Sequence, residues 1–235
     1  MAKNKPHPCC DAIIVAAGNS SRMGSGINKQ FLMLGGIPLL AHTLMRFEAA
    51  LTVENIIVVT KPENIITVND IVREFEISKI KAIIPGGSTR AESVVCGLGE
   101  VDNDRLVAVH DGARPFVSAQ KIDELISLAK TYGAVAPGII PKDTVKIVDT
   151  KNTVKDTPAR NSLRTIQTPQ VFKADELKLA YISGKEKGFD GTDDCSYIEN
   201  MGISVYIADG EYTNIKVTTP EDLPIAEAIM TKVLQ

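Results

Sequence analysis

Short apolar segments alternate along the first 140 residues with longer segments whose apolar residues recur every three or four positions. Apolar runs of this kind predict buried strands, and the three-to-four spacing predicts amphipathic helices. The predicted strands cover residues 12–17, 55–60, 80–84, 106–110 and 134–140. The predicted helices between them cover residues 38–49, 64–76, 88–100 and 118–132. This alternation predicts an α/β fold with a mostly parallel sheet and helices on both faces.

The pattern changes after residue 140. Residues 144–148 and 153–157 alternate between polar and apolar around a turn-like segment, which predicts a β-hairpin. An isolated two-stranded hairpin is marginally stable in water, so we expect this protruding arm, residues 141–168, to pack against another chain. A solvated flap on a monomer is the alternative.

The remaining chain shows no repeat, low-complexity tract or linker, so we expect a single domain over residues 1–235. Its pattern predicts a helix over 174–186, a helical stretch that ends near 201 and a strand over 203–208. A last helix is predicted to open at Thr219-Pro220-Glu221-Asp222, because Thr is a frequent N-cap and Pro suits the first helical position.

The end of the first predicted strand has the composition of an anion-binding loop. The apolar run gives way to Gly18, and Gly24, Arg22 and Lys29 follow within a few residues. Glycine lets the backbone approach an anion, loop N–H groups can point at it, and the two cations add full charges. The segment is neither a P-loop, since Lys29 is followed by Gln30, nor a G-x-G-x-x-G loop. It therefore indicates a nucleotide site of another kind.

Two further strand ends combine glycine with charged residues. They are residues 85–90, with the sequence PGGSTR, and residues 110–115, with the sequence HDGARP. Each alone is typical of a turn, and Asp111 alone is typical of a helix cap. Ligands of open parallel sheets bind at the carboxyl ends of the strands. Three such segments at successive strand ends therefore favour one shared binding site.

Composition narrows the class of protein. The net charge of −3 gives no basic field that would attract nucleic acid or an anionic membrane. The sequence holds neither a signal-peptide pattern nor an apolar run near the roughly 18 residues of a membrane span, so we expect a cytoplasmic location. The four cysteines form no C-x-x-C pair, so we expect free thiols and no structural zinc.

Seven segments in order resemble the 2-C-methyl-D-erythritol 4-phosphate cytidylyltransferase family, over about residues 11–230. They read AAGNSSRMGSGINKQFLMLGGIPLLAHTL, PGGSTRAESV, HDGARPFV, PKDTVK, TPQVF, GTDDCSYIE and NIKVTTPEDL. The resemblance implies a Rossmann-like fold of the nucleotide-diphospho-sugar transferase type and a homodimer that exchanges its arms. It implies transfer of CMP from CTP to 2-C-methyl-D-erythritol 4-phosphate in the non-mevalonate isoprenoid pathway. The products would be 4-diphosphocytidyl-2-C-methyl-D-erythritol and pyrophosphate, with Mg²⁺ held mainly by the CTP phosphates rather than by protein ligands.

The resemblance also implies roles for individual residues. The catalytic cations would be Arg22 and Lys29. The CTP-binding residues would be Ala16, Ala17, Gly18, Gly87, Ser88, Ser93, Asp111 and Lys216. The acceptor-binding residues would be Asp111, Arg114, Thr144, Arg160, Thr192 and Lys216, with Arg160 reaching the site of the partner subunit. Some family members carry an acidic residue where this chain has Ser88, so only backbone contacts are expected there.

Elementary chemistry agrees with cations at the centre of such a site. The reaction joins two anions, so their repulsion must be screened and the charge on the transferred phosphoryl group stabilised. Two other functions stay open at this point: a ribitol-5-phosphate cytidylyltransferase, which would differ in its acceptor pocket, and a non-catalytic regulator that binds CTP without releasing pyrophosphate. For Arg114, binding the acceptor phosphate and pairing with an acidic residue are both open.

Overall fold

The computed structural model describes residues 9–18 and 28–233. Within this part, the strands are β1 (Cys10–Val15), β2 (Met33–Leu34), β3 (Ile37–Pro38), β4 (Val53–Thr60), β5 (Ile80–Pro85), β6 (Leu106–Asp111), β7 (Ala134–Ile139), β8 (Ile147–Val148), β9 (Val154–Asp156), β10 (Thr165–Ile166), β11 (Gln170–Lys173) and β12 (Tyr206–Asp209). The α-helices are α1 (Leu39–Ala49), α2 (Ile65–Glu74), α3 (Arg90–Leu98), α4 (Ala119–Tyr132), α5 (Ala174–Glu186), α6 (Asp194–Asn200) and α7 (Asp222–Val233).

The main sheet has the strand order β10-β7-β11-β6-β1-β4-β5, and β12 also pairs with β7. Strand β1 runs parallel to both β4 and β6, and β4 runs parallel to β5. This confirms the α/β fold with a mostly parallel sheet. The exceptions are β10 and β11, which are antiparallel to their neighbours. They follow the arm rather than a crossover helix, so the chain enters the sheet from its opposite end.

Two apolar cores cover the two faces of the sheet. Successive residues of a strand point to opposite faces. Ile14 accordingly packs with α1 and α4 residues such as Leu44 and Ile122. Ile13 packs on the other face with α3 residues such as Val94. Helices on both faces leave only the strand ends open to a ligand.

The arm is smaller than its sequence pattern indicates. Only β8 and β9 pair within the predicted strands 144–148 and 153–157, and they form a separate two-stranded sheet. Apolar side chains on it are exposed: Val145, Ile147, Val148 and Val154. The arm has no buried residue of its own between 144 and 157, so its fold depends on little beyond backbone pairing.

The last helix, α7, begins at Asp222, within the segment Thr219-Pro220-Glu221-Asp222 where its opening was predicted, and the Asp222 carboxylate accepts the backbone N–H groups of Thr218 and Thr219 at 2.7 and 2.9 Å. One later boundary differs from the sequence prediction. The strand predicted over 203–208 is the shorter β12, because only these four residues pair with β7. Among the helices of residues 9–18 and 28–233, none is long and apolar enough to cross a membrane.

Candidate active site

The carboxyl ends of β1, β4, β5 and β6 open into one cavity of about 500 Å³. The predicted site residues that line it are Ala17, Gly18, Lys29, Gly87, Ser88, Ser93, Asp111 and Lys216. Because these residues come from three strand ends and from the chain near residue 216, the fold brings distant parts of the sequence to one place. The expectation that the glycine-containing segments meet at one sheet edge is met by this geometry.

The end of β1 is held by hydrogen bonds from three neighbouring segments. The Val15 carbonyl accepts the Gly112 N–H at 2.9 Å, and the Ala16 N–H donates to the Val59 carbonyl at 2.7 Å. The Ala16 carbonyl accepts from Nε2 of Gln30, a buried side chain just after Lys29, at 2.8 Å. Predicted catalytic Arg22 lies outside the described residues. The described ends of that loop are therefore fixed to the sheet on both sides.

The loop between β5 and α3 is organised by the first turn of α3. Thr89 caps the helix in a capping box with Glu92. The Glu92 carboxylate also accepts the N–H and the hydroxyl of Ser88, at 2.7 and 2.5 Å. Both hydrogen-bond donors of Ser88 are thus used by Glu92. The carbonyl oxygen and the hydroxyl lone pairs of Ser88 remain available to a ligand.

Glycine is required at position 86 by close approach. A Cβ there would lie 2.6 Å from Cβ of Ala17 and 2.7 Å from Oγ of Ser93. Ser93 itself is buried and donates its hydroxyl to the Thr89 carbonyl at 2.9 Å. The loops after β1 and β5 therefore touch at Gly86. This contact fixes the position of one loop relative to the other, and the two loops form two walls of the cavity.

Asp111 is the electrostatic centre of the cavity. Its carboxylate lies 2.9 Å from Nζ of Lys216, 3.3 Å from Nε of Arg114 and 3.4 Å from Nε of Arg90. Burial on its own would raise the pKa of Asp111, but Lys216, Arg90 and Arg114 together hold that pKa well below its usual range. Asp111 does not cap the following helix, because Ser118 does so by accepting the Lys121 N–H. The carboxylate is therefore charged and gathers three cations.

Arg90 is a site residue to which the sequence analysis assigned no role. Its guanidinium binds Asp194 with two hydrogen bonds of 3.0 and 2.7 Å, and Tyr181 donates its hydroxyl to the same carboxylate at 2.5 Å. Asp194 is fully buried at the start of α6. Arg90 lies in the PGGSTR segment and Asp194 in the GTDDCSYIE segment, but neither segment indicated that the two residues pair. The pair connects α6 to the cavity.

Lys61 and Gln30 also line the cavity without having been predicted. Lys61 directly follows β4, so the rule that searches strand ends for charged residues would have found it. Gln30 carried no such signal, because an amide beside a lysine is common on solvated loops. These two residues extend the polar lining on the β4 side and beside β1.

Four predicted acceptor residues, Arg114 among them, do not line the cavity of their own chain, and neither does the predicted CTP-binding residue Ala16. Thr144 and Arg160 are exposed on the arm, and Thr192 lies in the loop before α6. Arg114 contacts Asp111, as the acidic-pair interpretation expected, and its Nη1 donates to the Asn214 carbonyl at 2.9 Å. This pairing also holds the Arg114 side chain beside the cavity, so it does not exclude a role in binding an anion.

The donor set offers little to a metal ion by itself. Among the residues that the structure describes, no three His, Cys, Asp or Glu side chains are grouped to hold one. Asp111 is the carboxylate that lines the cavity. Mg²⁺ is commonly bound through one or two carboxylates together with substrate phosphates. One carboxylate at the cavity is compatible with a metal carried in on a nucleotide.

A mostly parallel α/β sheet with a cation-lined cavity at its strand ends is typical of proteins that bind phosphorylated nucleotides. Comparison with known proteins narrows the class. The family model for 2-C-methyl-D-erythritol 4-phosphate cytidylyltransferase matches residues 10–232. Proteins of that name from Clostridium botulinum (strain Langeland) and Clostridium novyi are 44% and 41% identical to this chain. The alignments cover 99% of both chains for the first, and 94% of this chain and 96% of the relative for the second.

Comparison with solved structures points to the same family. The 4-diphosphocytidyl-2C-methyl-D-erythritol synthase of Anaerococcus prevotii superposes with a TM-score of 0.86 at 32% identity, over 95% of this chain and 96% of that one. The 2-C-methyl-D-erythritol 4-phosphate cytidylyltransferase of Francisella tularensis superposes with a TM-score of 0.78 at 32% identity, over 94% and 99%. The chain belongs to the 2-C-methyl-D-erythritol 4-phosphate cytidylyltransferase family, and is thus a nucleotidyltransferase. The family resemblance read from the sequence is confirmed.

Proposed function

We propose that this chain transfers CMP from CTP to 2-C-methyl-D-erythritol 4-phosphate and releases pyrophosphate in isoprenoid precursor synthesis. The observation that carries the proposal is the convergence of Lys29, Arg90, Lys216 and Asp111 on one cavity at the strand ends. A cavity whose lining holds more cations than carboxylates suits a site that brings two phosphorylated molecules together. The relatives reported above are named for this polyol phosphate, which favours it over ribitol 5-phosphate.

The chemistry is an in-line displacement at phosphorus. An oxygen of the acceptor's phosphate forms a bond to the α-phosphorus of CTP. The bond from that phosphorus to the oxygen bridging to the β-phosphorus breaks, and pyrophosphate leaves with the electron pair. Arg22 and Lys29 act as the catalytic cations, which screen the repulsion between the anions and stabilise the charge of the transition state. No nucleophilic side chain is needed.

The CTP-binding residues lie on the two loops that meet at Gly86. Ala16, Ala17 and Gly18 follow β1 and form the triphosphate side of the site: Ala17 and Gly18 line the cavity, whereas Ala16, bonded to Val59 and Gln30, holds this end of the loop in place. Gly87, Ser88 and Ser93 form the base side of the pocket, where a pyrimidine fits, a purine would clash and the edge of a wrong base would be left unpaired. Asp111 and Lys216 lie between the nucleotide and the acceptor.

The acceptor binds beside Asp111. Arg114 and Lys216 supply its phosphate with cations, and Thr192, which does not line the cavity in this structure, is proposed to reach the acceptor from the loop before α6. Thr144 and Arg160 complete the pocket of the partner subunit in a homodimer whose arms are exchanged. The exposure of both residues, and of the apolar arm residues Ile147 and Val154, supports this arrangement. A hairpin without a core of its own gains stability only against another surface.

Mg²⁺ fits the site as a companion of CTP, with Asp111 the protein carboxylate in reach of it and the remaining ligands drawn from the triphosphate. When bound, the ion neutralises charge on the phosphate oxygens. Lys216, Arg90 and Arg114 compete with it for Asp111, so the ion's affinity depends chiefly on CTP.

The remaining expectations follow from the same picture. The chain functions as one domain over residues 1–235, and neither nucleic acid nor a membrane is among its partners. A cytoplasmic location is supported by the four free cysteines, Cys9, Cys10, Cys96 and Cys195, since a reducing compartment keeps thiols unpaired.

Measuring pyrophosphate release with CTP and each acceptor tests the choice of acceptor. We expect turnover with 2-C-methyl-D-erythritol 4-phosphate, and a kcat/KM lower by about a hundredfold or more with ribitol 5-phosphate. Equal values with both acceptors, or a preference for ribitol 5-phosphate, would overturn the proposal. Binding of CTP without pyrophosphate release would identify a non-catalytic regulator instead.

Mixed dimers test the exchanged arms. Arg22→Ala and Arg160→Ala homodimers should each be nearly inactive. In a mixed dimer with exchanged arms, one site receives Arg22 and Arg160 intact, so random mixing should restore about a quarter of the wild-type sites. No recovery after denaturation and joint refolding would show that Arg160 serves its own chain, provided that wild-type protein recovers in the same procedure.

A further inference from the structure

A buried histidine lies directly behind the site and has no part in the proposed chemistry. His110 precedes Asp111 on β6, is fully buried, and packs its ring against that of Phe47 with the centroids 4.9 Å apart. Both ring nitrogens have partners. Nε2 lies 3.0 Å from the Arg114 carbonyl oxygen, and Nδ1 lies 3.0 Å from the Thr168 hydroxyl. The ring therefore bridges two segments at the edge of the site.

The partners fix the direction of each hydrogen bond. The Arg114 carbonyl can only accept, so Nε2 carries the proton and Nδ1 accepts from the Thr168 hydroxyl. The same hydroxyl oxygen accepts the Asp111 N–H at 3.1 Å. Burial lowers the pKa of His110 from 6.5 to about 4, so the neutral ring that this arrangement requires is the form present near neutral pH.

The contacts continue to the segment that carries Lys216. The Thr168 carbonyl accepts from Nδ2 of Asn214 at 2.8 Å, and the Asn214 carbonyl accepts from Nη1 of Arg114 at 2.9 Å. His110, Thr168, Asn214 and Arg114 thus form a closed ring of hydrogen bonds. Its members fix both ends of the turn from residue 111 to residue 114.

We infer that His110 is a positioning residue, which holds the turn from Asp111 to Arg114 in the geometry that binds the acceptor phosphate. The inference rests on the proposed function, since it takes Arg114 as an acceptor contact. Without the imidazole, the Arg114 carbonyl and the Thr168 hydroxyl lose a buried partner, which favours a shifted turn in which they reach water. Among the described residues, the loops on the CTP side make no hydrogen bond to His110 and meet the turn through the Gly112 N–H and the Asp111 carboxylate, so we expect the smaller effect on CTP binding.

Steady-state kinetics separates this role from general support of the fold. His110→Asn keeps an acceptor near the position of Nδ1 but cannot reach the Arg114 carbonyl. We expect it to raise KM for the polyol phosphate by about tenfold or more, and KM for CTP by less than about threefold. Thr168→Val should do the same, whereas Thr168→Ser retains the hydroxyl and should resemble the wild type. His42→Asn is the matched control, since His42 also binds a carbonyl, that of Leu34 at 2.9 Å, but makes no hydrogen bond to residues 111–114 in the described part of the chain.

Hydrogen exchange of the peptide that contains residues 111–114 measures the turn directly. It should exchange faster in His110→Asn and Thr168→Val than in the wild type or in Thr168→Ser. Unchanged exchange in both variants overturns the inference. If Arg114→Ala raises KM for the polyol phosphate and His110→Asn does not, the inference fails and the proposed function stands. If Arg114→Ala leaves that KM unchanged, the proposed acceptor contact fails, and this role of His110 falls with it.

Discussion

Replacing Asp111 with Asn removes the charge that Lys216, Arg90 and Arg114 share, while the shape of the side chain is kept. Because those cations hold the pKa of Asp111 below its ordinary value of 3.8, the carboxylate is charged in the folded protein throughout the neutral range. Its stabilising effect is present above pH 3.8 and is lost only as the pH falls toward the folded pKa. The substitution therefore removes this contribution at any pH used for assay.

The geometry sets the expected magnitude. Breaking a buried ion pair by removing one partner costs about 3–5 kcal/mol. Here the Asp111 side chain is 10% exposed, but those of Arg90 and Lys216 are 30% and 34% exposed, so water screens part of the lost interaction. We therefore expect a loss of about 2–3 kcal/mol of unfolding free energy, or roughly 5–10 °C in Tm. Because Lys216, Arg90 and Arg114 would no longer be held by this carboxylate, we also expect kcat/KM to fall by about a hundredfold.

Asp11→Asn provides the matched control. Asp11 is as buried, 1% exposed, and accepts from Arg105 at 3.1 Å and Asn55 at 2.9 Å, but it lies near the start of β1, at the end of the sheet opposite the cavity. Thermal unfolding should show a comparable loss of stability in both variants. Pyrophosphate release at 25 °C should fall only in Asp111→Asn. Near-normal turnover in Asp111→Asn, or an equal loss in Asp11→Asn, would refute the reasoning.

Three further outcomes are expected. Arg22→Ala and Lys29→Ala should each lower kcat by more than about tenfold with an unchanged circular dichroism spectrum, because each cation acts on transition-state charge; near-normal turnover in both would remove this mechanism. Because the pKa of buried His110 falls from 6.5 to about 4, the unfolded chain binds a proton there that the folded chain does not. Chemical denaturation should thus show that the unfolding free energy decreases by about 3 kcal/mol as the pH falls from 6.5 to 4. The decrease should be smaller in His110→Gln. Gly86→Ala should raise KM for CTP by about tenfold, since the new Cβ would lie 2.6 Å from that of Ala17, and an unchanged KM would contradict the tight contact between the two loops.

The regular part of the fold could be predicted from periodicity because each element buries one face. The predicted helix 118–132 and strand 106–110 match α4 and β6 to within one residue at each end. The short hairpin of β2 and β3 escaped notice, although Gly35 and Gly36 between them take the positive φ values of its turn. Two-residue strands are too brief to show a period.

The site could be predicted only as far as the strand-end rule and the family resemblance reached. The strand-end rule correctly predicted that Lys29, Gly87 and Asp111 share one cavity. It could do so because it depends on the order and direction of the strands rather than on individual side-chain contacts. It could not find the pairing of Arg90 with Asp194, since 104 positions separate them along the chain. Partnerships of that range arise from packing of whole elements, which local sequence patterns do not encode.

We propose above all that this chain joins an acceptor phosphate to the α-phosphorus of CTP. The most direct test is to follow the products of a reaction with Mg²⁺, CTP and 2-C-methyl-D-erythritol 4-phosphate by ³¹P nuclear magnetic resonance. The account predicts pyrophosphate and an unsymmetrical diphosphate diester in equal amounts, with no orthophosphate, and the same spectrum at a much lower rate from Lys29→Ala. Orthophosphate with CDP would show that water attacks the γ-phosphorus and CTP is hydrolysed, and an unchanged CTP spectrum in the presence of both substrates would show that no transfer occurs; either result would contradict this function.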